Sequence, residues 1–169
     1  PINCLVNNAG IRFRKNFVNI SKKELLNVFD INFFSIFLIS QVFTKFLKKH
    51  KLNGSMINIS SIVGQIGFNE LSAYGASKGA LTALTKNLST ELSKNKIRIN
   101  SISPGFTKTS YFKKFKKKTN LYKWTLSRIP LNRWGEPEEV SNLISFLLSE
   151  KAKYITGENF NVDGGWLSS

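Results

Sequence analysis

Four short apolar segments along the chain have the length and composition of buried β-strands. Each has four to six residues, is rich in Ile, Val or Phe, and is followed by Asn, Asp, Ser, Gly or Pro. Apolar runs that are bounded by turn-forming residues predict strands. The four segments are 2–6 (INCLV), 56–60 (MINIS), 97–102 (IRINSI) and 159–162 (NFNV).

Three longer segments between these runs carry apolar residues at helical spacing: 21–47, 72–93 and 136–149. Ser21, followed three residues later by Glu24, has the pattern of a capping box, which is typical of a helix start. Pro137, followed by Glu138 and Glu139, indicates another start because the first helical turn favours proline and acidic side chains. We expect the first helix to be interrupted near Asp30.

Strands that alternate with such helices predict an α/β fold with a doubly wound parallel sheet and helices on both faces. No linker or internal repeat divides the chain, so we interpret residues 1–169 as a single domain. Ligands of such sheets bind beyond the carboxyl ends of the strands. That rule selects three glycine-containing segments: 7–10 (NNAG), 60–67 (SSIVGQIG) and 103–109 (SPGFTKT).

The formal net charge is +15, and the basic residues are unevenly distributed. Of the 25 Lys and Arg residues, 12 lie between Glu91 and Glu136, where no acidic residue occurs. The central part of this region, 108–124, interleaves lysines with aromatic residues, which is one pattern of nucleic-acid binding. A solvated lysine-rich surface has the same pattern. Charge alone indicates long-range attraction of charged molecules and not a specific function. We therefore expect no nucleic-acid partner.

Composition also argues against a membrane span, a disulfide and a metal site. The most apolar window, 33–40 (FFSIFLIS), is far shorter than the ~20 residues of a spanning helix. The single cysteine, Cys4, fits a reducing cytoplasm, and we expect it to be buried in its strand. The only histidine, His50, lies among lysines without a partner motif, so we predict no metal ligand there.

One pair of side chains indicates proton-transfer chemistry. Tyr74 and Lys78 lie four residues apart among small residues (YGASK), so both project from the same helix face. A phenol has an ordinary pKa of about 10, and an adjacent ammonium group lowers that pKa. Tyr74 is therefore a candidate general acid or base. A partly buried aromatic beside a solvated amine is the alternative that the spacing leaves open.

Two further polar residues lie where this chemistry needs them. Ser61 ends a predicted strand 13 residues before Tyr74, and the strand end and the helix start share one rim of the sheet. Asn32 lies within an apolar helical run (DINFFSIF), where asparagine is unfavourable without a specific hydrogen bond. Each has an ordinary alternative, a turn-forming serine and an asparagine that fixes a local kink.

These residues and motifs resemble the short-chain dehydrogenase/reductase family, whose domain is Rossmann-like. The resemblance covers almost the whole chain and is greatest to 3-oxoacyl-carrier-protein reductases, gluconate 5-dehydrogenases and tropinone reductases. The motifs occur in the order of that family: 7–10 (NNAG), the helix with Asn32, 57–61 (INISS), 74–78 (YGASK), 99–109 (INSISPGFTKT) and 154–165 (YITGENFNVDGG).

The resemblance implies an NAD- or NADP-dependent oxidoreductase that interconverts a secondary alcohol and a ketone. Tyr74 would exchange the proton with the substrate oxygen, and Ser61 would hold that oxygen. Lys78 would lower the pKa of Tyr74 and bind the nicotinamide ribose, and Asn32 would hold a water for a proton relay through Lys78. The cofactor would be bound by Tyr74 and Lys78 together with Asn8, Ala9, Gly10, Pro104, Gly105, Thr107 and Thr109.

The sequence departs from the family pattern at its beginning. The family starts with a strand and a turn of the form T-G-x-x-x-G-x-G, which binds the pyrophosphate, and no such turn occurs here. The segment that distinguishes NAD from NADP is absent with it. We expect the chain, which begins with Pro1, to be the C-terminal two thirds of such a domain, without its first three strands. These 169 residues alone are then expected to be marginally stable and nearly inactive.

The resemblance also places a substrate lid at about 106–134, which includes Tyr111, Phe112, Trp124 and Trp134. Eight basic residues between Lys108 and Arg128 favour an anionic substrate, and an ordinary lysine-rich lid surface explains them equally well. The family commonly forms dimers or tetramers through the helices that carry Asn32 and Tyr74. Leu81, Leu84 and Leu88 suit such an interface or an ordinary core.

Two hypotheses about function follow. The first is an enzyme that acts on a small carbonyl or alcohol compound. The second is a non-catalytic remnant that binds a partner or nucleic acid through its basic segment. The presence of all four catalytic residue types, Asn32, Ser61, Tyr74 and Lys78, favours the enzyme.

Overall fold

Four parallel strands form the centre of the computed structural model, which describes residues 2–168. Their spatial order is β1–β2–β3–β4, the same as their order in the sequence. The predicted parallel sheet is confirmed, and each predicted strand overlaps an observed one. The strands are β1 (Cys4–Asn7), β2 (Gly54–Ile59), β3 (Ile97–Pro104) and β4 (Asn159–Val162).

Six α-helices connect these strands in the described part of the chain. They are α1 (Lys22–Phe29), α2 (Ser35–His50), α3 (Ser72–Leu92), α4 (Phe112–Lys116), α5 (Thr119–Arg128) and α6 (Pro137–Leu148). Both predicted helix starts are observed, since Ser21 and Glu24 form a capping box at α1 and Pro137 lies in the first turn of α6. The predicted interruption near Asp30 is a π-helical turn, Asp30–Phe34, between α1 and α2.

Helices cover both faces of the sheet, as a doubly wound fold requires. Helices α2 and α3 pack on one face, where Phe43 and Leu47 of α2 meet Met56 and Ile99 of the strands. On the other face, Leu147 of α6 meets Ile57 and Ile102. Successive residues of a strand point to opposite faces, so β2 and β3 are buried on both sides.

Strand β1 lies at an edge of this sheet, and one of its faces is exposed. The main strand contacts of helix α6 are with β2 and β3. Cys4 and Val6 point to that uncovered face, so Cys4 is exposed. The prediction that Cys4 is buried is therefore wrong, because the apolar strand pattern does not tell which neighbours cover each face. The expectation that three further strands precede β1 stays a prediction.

The segment Lys22–His50, which contains α1, the π-helical turn and α2, presents much of its apolar surface to solvent. An 18-residue window within it has a mean hydropathy of 1.6, and the segment is long enough to cross a membrane. This differs from our expectation that no segment is sufficiently apolar. One such helix is weak evidence for a membrane span, since core helices of soluble proteins share these properties. The predicted cytoplasmic location stays a prediction.

Candidate active site

A cavity of about 620 Å³ opens at the carboxyl ends of β1, β2 and β3, where parallel sheets bind ligands. Nine of the eleven predicted site residues line it: Asn8, Gly10, Ser61, Tyr74, Lys78, Pro104, Gly105, Thr107 and Thr109. The remaining two, Ala9 and Asn32, do not line the cavity. Ala9 is exposed to solvent, and Asn32 is fully buried behind Gly10.

Tyr74 and Ser61 meet at the floor of this cavity. Tyr74 lies in the first turn of α3, and Ser61 follows β2 directly in an extended conformation. The Ser61 side chain lies close enough to the Tyr74 phenol to oppose the rise in its pKa. The Ser61 hydroxyl also accepts a hydrogen bond from the Val63 amide (3.2 Å), which fixes its orientation. A hydroxyl pair held in this way can bind and protonate one carbonyl oxygen.

Lys78 lies one helical turn beyond Tyr74 and is almost fully buried. Its ammonium group donates a hydrogen bond to the Ile59 carbonyl (2.7 Å). Burial lowers the pKa of Lys78 to about 8. An ammonium group has three donors, and one is bonded to Ile59, so Lys78 retains donors toward the cavity that it lines.

Burial raises the pKa of Tyr74, and the Ser61 hydrogen bond and the Arg12 guanidinium offset this only in part. The four-residue spacing to Lys78 predicted a lowered pKa, so the raised pKa is a correction. The cause is desolvation, which penalises the phenolate in this half-buried position. Tyr74 is therefore protonated at neutral pH and poised as a proton donor.

Asn32 connects the loop after β1 to the helices behind the site. Its amide donates hydrogen bonds to the Ile11 carbonyl (2.9 Å) and the Ser77 hydroxyl (3.0 Å), and it accepts one from the Ile11 amide (2.8 Å). A Cβ on Gly10 would lie 3.2 Å from the Asn32 Oδ1 and 3.4 Å from the Lys78 Nζ. Asn32 thus holds the loop at Gly10 directly over Lys78.

The turn that follows Ser61 packs directly against the backbone of α3. A Cβ placed on Gly64 would lie 2.8 Å from the Gly79 nitrogen and 2.9 Å from the Lys78 carbonyl carbon. Real Cβ atoms do not approach backbone that closely, so only glycine permits this contact. The small residues around Tyr74 and Lys78 therefore allow strand β2 and helix α3 to bring Ser61 and Tyr74 together.

We expect Gly64→Ala to lower the free energy of unfolding by about 1–3 kcal/mol, since the added methyl forces two backbone segments apart. Gly67→Ala is the matched control, because a Cβ at Gly67 meets nothing within 4 Å. Urea unfolding of the complete protein measures both. Equal midpoints for the two variants would show that the close contact at Gly64 does not constrain the fold.

The predicted substrate lid contains two helices, α4 and α5. Backbone hydrogen bonds join the beginning and the end of this segment. The Gly135 amide donates to the Phe106 carbonyl (2.9 Å), and the Lys108 amide donates to the Gly135 carbonyl (2.9 Å). Aromatic residues fill its interior, with the Phe106 and Trp134 rings 5.0 Å apart. The Trp134 indole donates to the Thr125 hydroxyl (2.8 Å). Thr109 and Tyr111 extend from this lid to the cavity.

Two charged lining residues, Arg12 and Arg14, were not predicted from the sequence. Both follow 7–10 (NNAG) in the loop after β1, at the edge of the sheet where ligands bind. In 11–14 (IRFR) arginine alternates with apolar residues, and this pattern could have identified both arginines from the sequence. The larger basic run at 108–124 has the stronger charge signal, yet its lysines do not line the cavity.

The family described as enoyl-(acyl carrier protein) reductase matches residues 1–167. The chain belongs to this short-chain dehydrogenase/reductase family. It is 41% identical over 165 residues to a tropinone reductase homolog of Arabidopsis thaliana, with 98% of this chain and 62% of that protein aligned. It is 36% identical over 167 residues to 5-keto-D-gluconate 5-reductase of Escherichia coli, with 99% and 65% aligned. The chain thus spans slightly less than two thirds of these relatives.

Solved structures of this family superpose closely on the chain. A 4-hydroxyisoleucine dehydrogenase complexed with NADH has a TM-score of 0.96 and 36% identity, and the match covers 99% of this chain and 69% of that one. Other matched structures contain NADP. The expectation of NAD or NADP as the family's cofactor is therefore confirmed, and so is the Rossmann-like fold.

Proposed function

We propose that the complete protein is an NAD(P)-dependent oxidoreductase that interconverts a secondary alcohol and a ketone, with Tyr74 as the general acid and base. The observation that carries this proposal is the convergence of Ser61, Tyr74 and Lys78 on one cavity at the carboxyl edge of the sheet. The family's dehydrogenases and reductases support the same reaction class. The alternative of a non-catalytic remnant that binds nucleic acid has no comparable support.

The residues of this cavity fit the nicotinamide end of the cofactor. Gly10 leaves room above Lys78, where a side chain would contact Asn32 and the ammonium group. Lys78 has donors directed to the cavity, suited to ribose hydroxyls. Asn8, Pro104, Gly105, Thr107 and Thr109 complete the proposed cofactor contacts along the rim. When bound, the nicotinamide supplies or accepts the hydride.

The chain's own part in reduction is to bind and protonate the carbonyl oxygen. Ser61 donates a hydrogen bond to that oxygen and orients it toward Tyr74. As the carbonyl carbon is reduced, Tyr74 transfers its proton to the oxygen, and the product is the secondary alcohol. The raised pKa of Tyr74 keeps its hydroxyl protonated, so the proton is available when the substrate oxygen becomes basic. Oxidation of the alcohol reverses each step.

The return of the proton to Tyr74 is proposed to pass through Lys78, with a water held at Asn32. Both amide hydrogens of Asn32 are bonded within the protein, which leaves one lone pair on its Oδ1 for such a water. Asn32 is also a positioning residue, because it fixes the Gly10–Ile11 loop above Lys78.

Titration of the complete protein with NADH and NADPH, followed by a screen of ketones, tests this function. Binding of one cofactor together with oxidation of the reduced cofactor by a ketone is the expected result. Absence of turnover with every ketone, despite cofactor binding, would contradict it. The Tyr74→Phe variant then identifies the proton donor.

The complete protein is also proposed to be a homo-oligomer whose interface includes the exposed apolar face of α2. Leu38, Ile39 and Val42 are 59%, 51% and 68% exposed on this helix. Leu81 and Leu84 of α3 are instead buried with Ile36, which gives them a core role. Contiguous exposed apolar residues mark interaction surfaces, and a second copy of the same chain offers a self-complementary partner.

We expect Val42→Glu to convert the complete protein to a smaller species in sedimentation velocity, because it places a charge within the apolar face. Val18→Glu is the matched control, since Val18 is 82% exposed in the turn Phe17–Asn19, outside α2. An unchanged sedimentation coefficient for Val42→Glu would place the interface elsewhere.

A further inference from the structure

Arg12 and Arg14 both line the candidate active site, yet their partners differ. The Arg14 guanidinium forms an ion pair with Glu70 (2.8 Å) at the cavity rim. Arg12 has no carboxylate within ion-pair distance among residues 2–168. Its guanidinium instead lies over the ring of Tyr111, 5.3 Å from the ring centroid. Of these two arginines, one is therefore neutralised by a carboxylate of the protein and the other is not.

Arg12 is close to the proposed reaction centre. Its positive charge opposes the rise in the pKa of Tyr74, which only a nearby group can do. Arg12, Ser61 and Tyr74 also share a smaller recess of about 120 Å³ beside the main cavity. The apolar side chains of Phe68 and Phe106 form the opposite wall of this recess. A small molecule there would meet a hydroxyl pair and a guanidinium together.

We propose that Arg12 is the residue that selects an anionic substrate, a small keto acid or hydroxy acid whose carboxylate pairs with its guanidinium. The proposal rests on the proposed function, since it assigns the substrate class of the same site. A guanidinium binds a carboxylate through two parallel hydrogen bonds. The face of Tyr111 leaves the in-plane donors of Arg12 free for that contact while it orients the group.

The contacts that fix the loop on both sides of Arg12 support its role in substrate binding. The Arg14 ion pair with Glu70 and the Lys15 amide bonded to the Glu70 carbonyl (2.9 Å) fix the segment next to Arg12. On the other side, the Ile11 backbone is bonded twice to Asn32. Arg12 therefore projects from a short loop that is held on both sides, so its guanidinium is preorganised for a ligand.

The lysines of the lid do not supply this contact. Six of them lie on α4, α5 and the turn between, and none lines the cavity or the recess: Lys113, Lys114, Lys116, Lys117, Lys118 and Lys123. Charges outside a site act at long range and are screened by salt. They raise the local concentration of an anion, whereas Arg12 is placed to recognise it.

The test compares Arg12→Gln with Lys117→Gln in the complete protein, since both variants remove one positive charge and Lys117 is exposed outside the site. Each of several small keto acids is paired with its own uncharged amide as substrate. We expect Arg12→Gln to lower kcat/KM for the acids by about 10- to 100-fold, the value of a charged hydrogen-bonded contact. For the amides, kcat/KM should change little in Arg12→Gln. Lys117→Gln should leave kcat/KM unchanged for both acids and amides, and Arg12→Lys should lose part of the preference for acids over amides.

A binding measurement separates this proposal from the proposed function. Succinate, which has no ketone to reduce, occupies a matched dehydrogenase that also holds NADH, so it serves as the probe in calorimetric titration. Succinate binding that Arg12→Gln abolishes and Lys117→Gln retains supports the proposal even where no ketone is reduced. Equal loss for acids and amides, equal succinate binding by all variants, or no succinate binding by the unaltered protein would overturn it.

Discussion

Tyr74→Phe is expected to lower kcat for ketone reduction by about a thousandfold, within the range of general acid catalysis. The variant keeps the aromatic ring in its half-buried position and removes only the hydroxyl beside Ser61. The substrate oxygen then lacks its proton donor, since Lys78 lies one helical turn beyond Tyr74 and its remaining donors are proposed to bind the cofactor ribose. Single-turnover oxidation of the reduced cofactor by a ketone measures the chemical step directly.

Two controls make this result specific. Tyr154→Phe makes the same chemical change at a fully exposed residue and should leave kcat unchanged. Cofactor binding by Tyr74→Phe should remain within a few fold, because Lys78 and the rim residues are intact. A decrease in kcat of less than about tenfold would remove Tyr74 from the role of proton donor, since a real general acid contributes more than that.

The sequence predicted the sheet and the long helices well because their signal is local. Strand β4 and the start of α3 have the predicted bounds. Strand β2 begins two residues and ends one residue before its predicted bounds, and β3 ends two residues later than predicted. The interruption near Asp30 was also predictable, since Asn32 is unfavourable within a helix unless its amide has specific partners. The lid helices α4 and α5 were not predicted as helices, because their apolar residues pack into an aromatic cluster without a regular helical period.

The properties that could not be predicted from the sequence depend on which parts of the fold surround a residue. Cys4 has the local pattern of a buried strand residue, yet its face of β1 is uncovered. The pKa of Tyr74 was predicted from one neighbour, Lys78, whereas desolvation by the whole surrounding structure is the larger effect. Arg12 became a candidate only when the fold placed its loop beside Tyr111 and Tyr74, which are far from it in the sequence.

Asn32→Ala is expected to lower the free energy of unfolding by about 3 kcal/mol, because it removes the three hydrogen bonds that this fully buried side chain makes with its partners. Those partners are the amide and carbonyl of Ile11 and the hydroxyl of Ser77. Asn32 is also the middle residue of the π-helical turn Asp30–Phe34, so the variant changes the contacts that hold this turn against the loop. Thermal and urea unfolding of the complete protein measure the loss.

The same variant tests whether Asn32 positions the site as well as the fold. Release of Ile11 frees the loop at Gly10 that lies over Lys78, so kcat should fall even at temperatures where the variant is folded. Asn27→Ala is the matched control, because Asn27 is exposed on α1 and alanine favours a helix there. Asn32→Asp keeps an acceptor for the Ile11 amide and loses both donors, so it should be intermediate in stability. If Asn32→Ala and Asn27→Ala unfold at the same urea concentration, the hydrogen bonds of Asn32 do not stabilise this loop, and its place behind the active site is incidental.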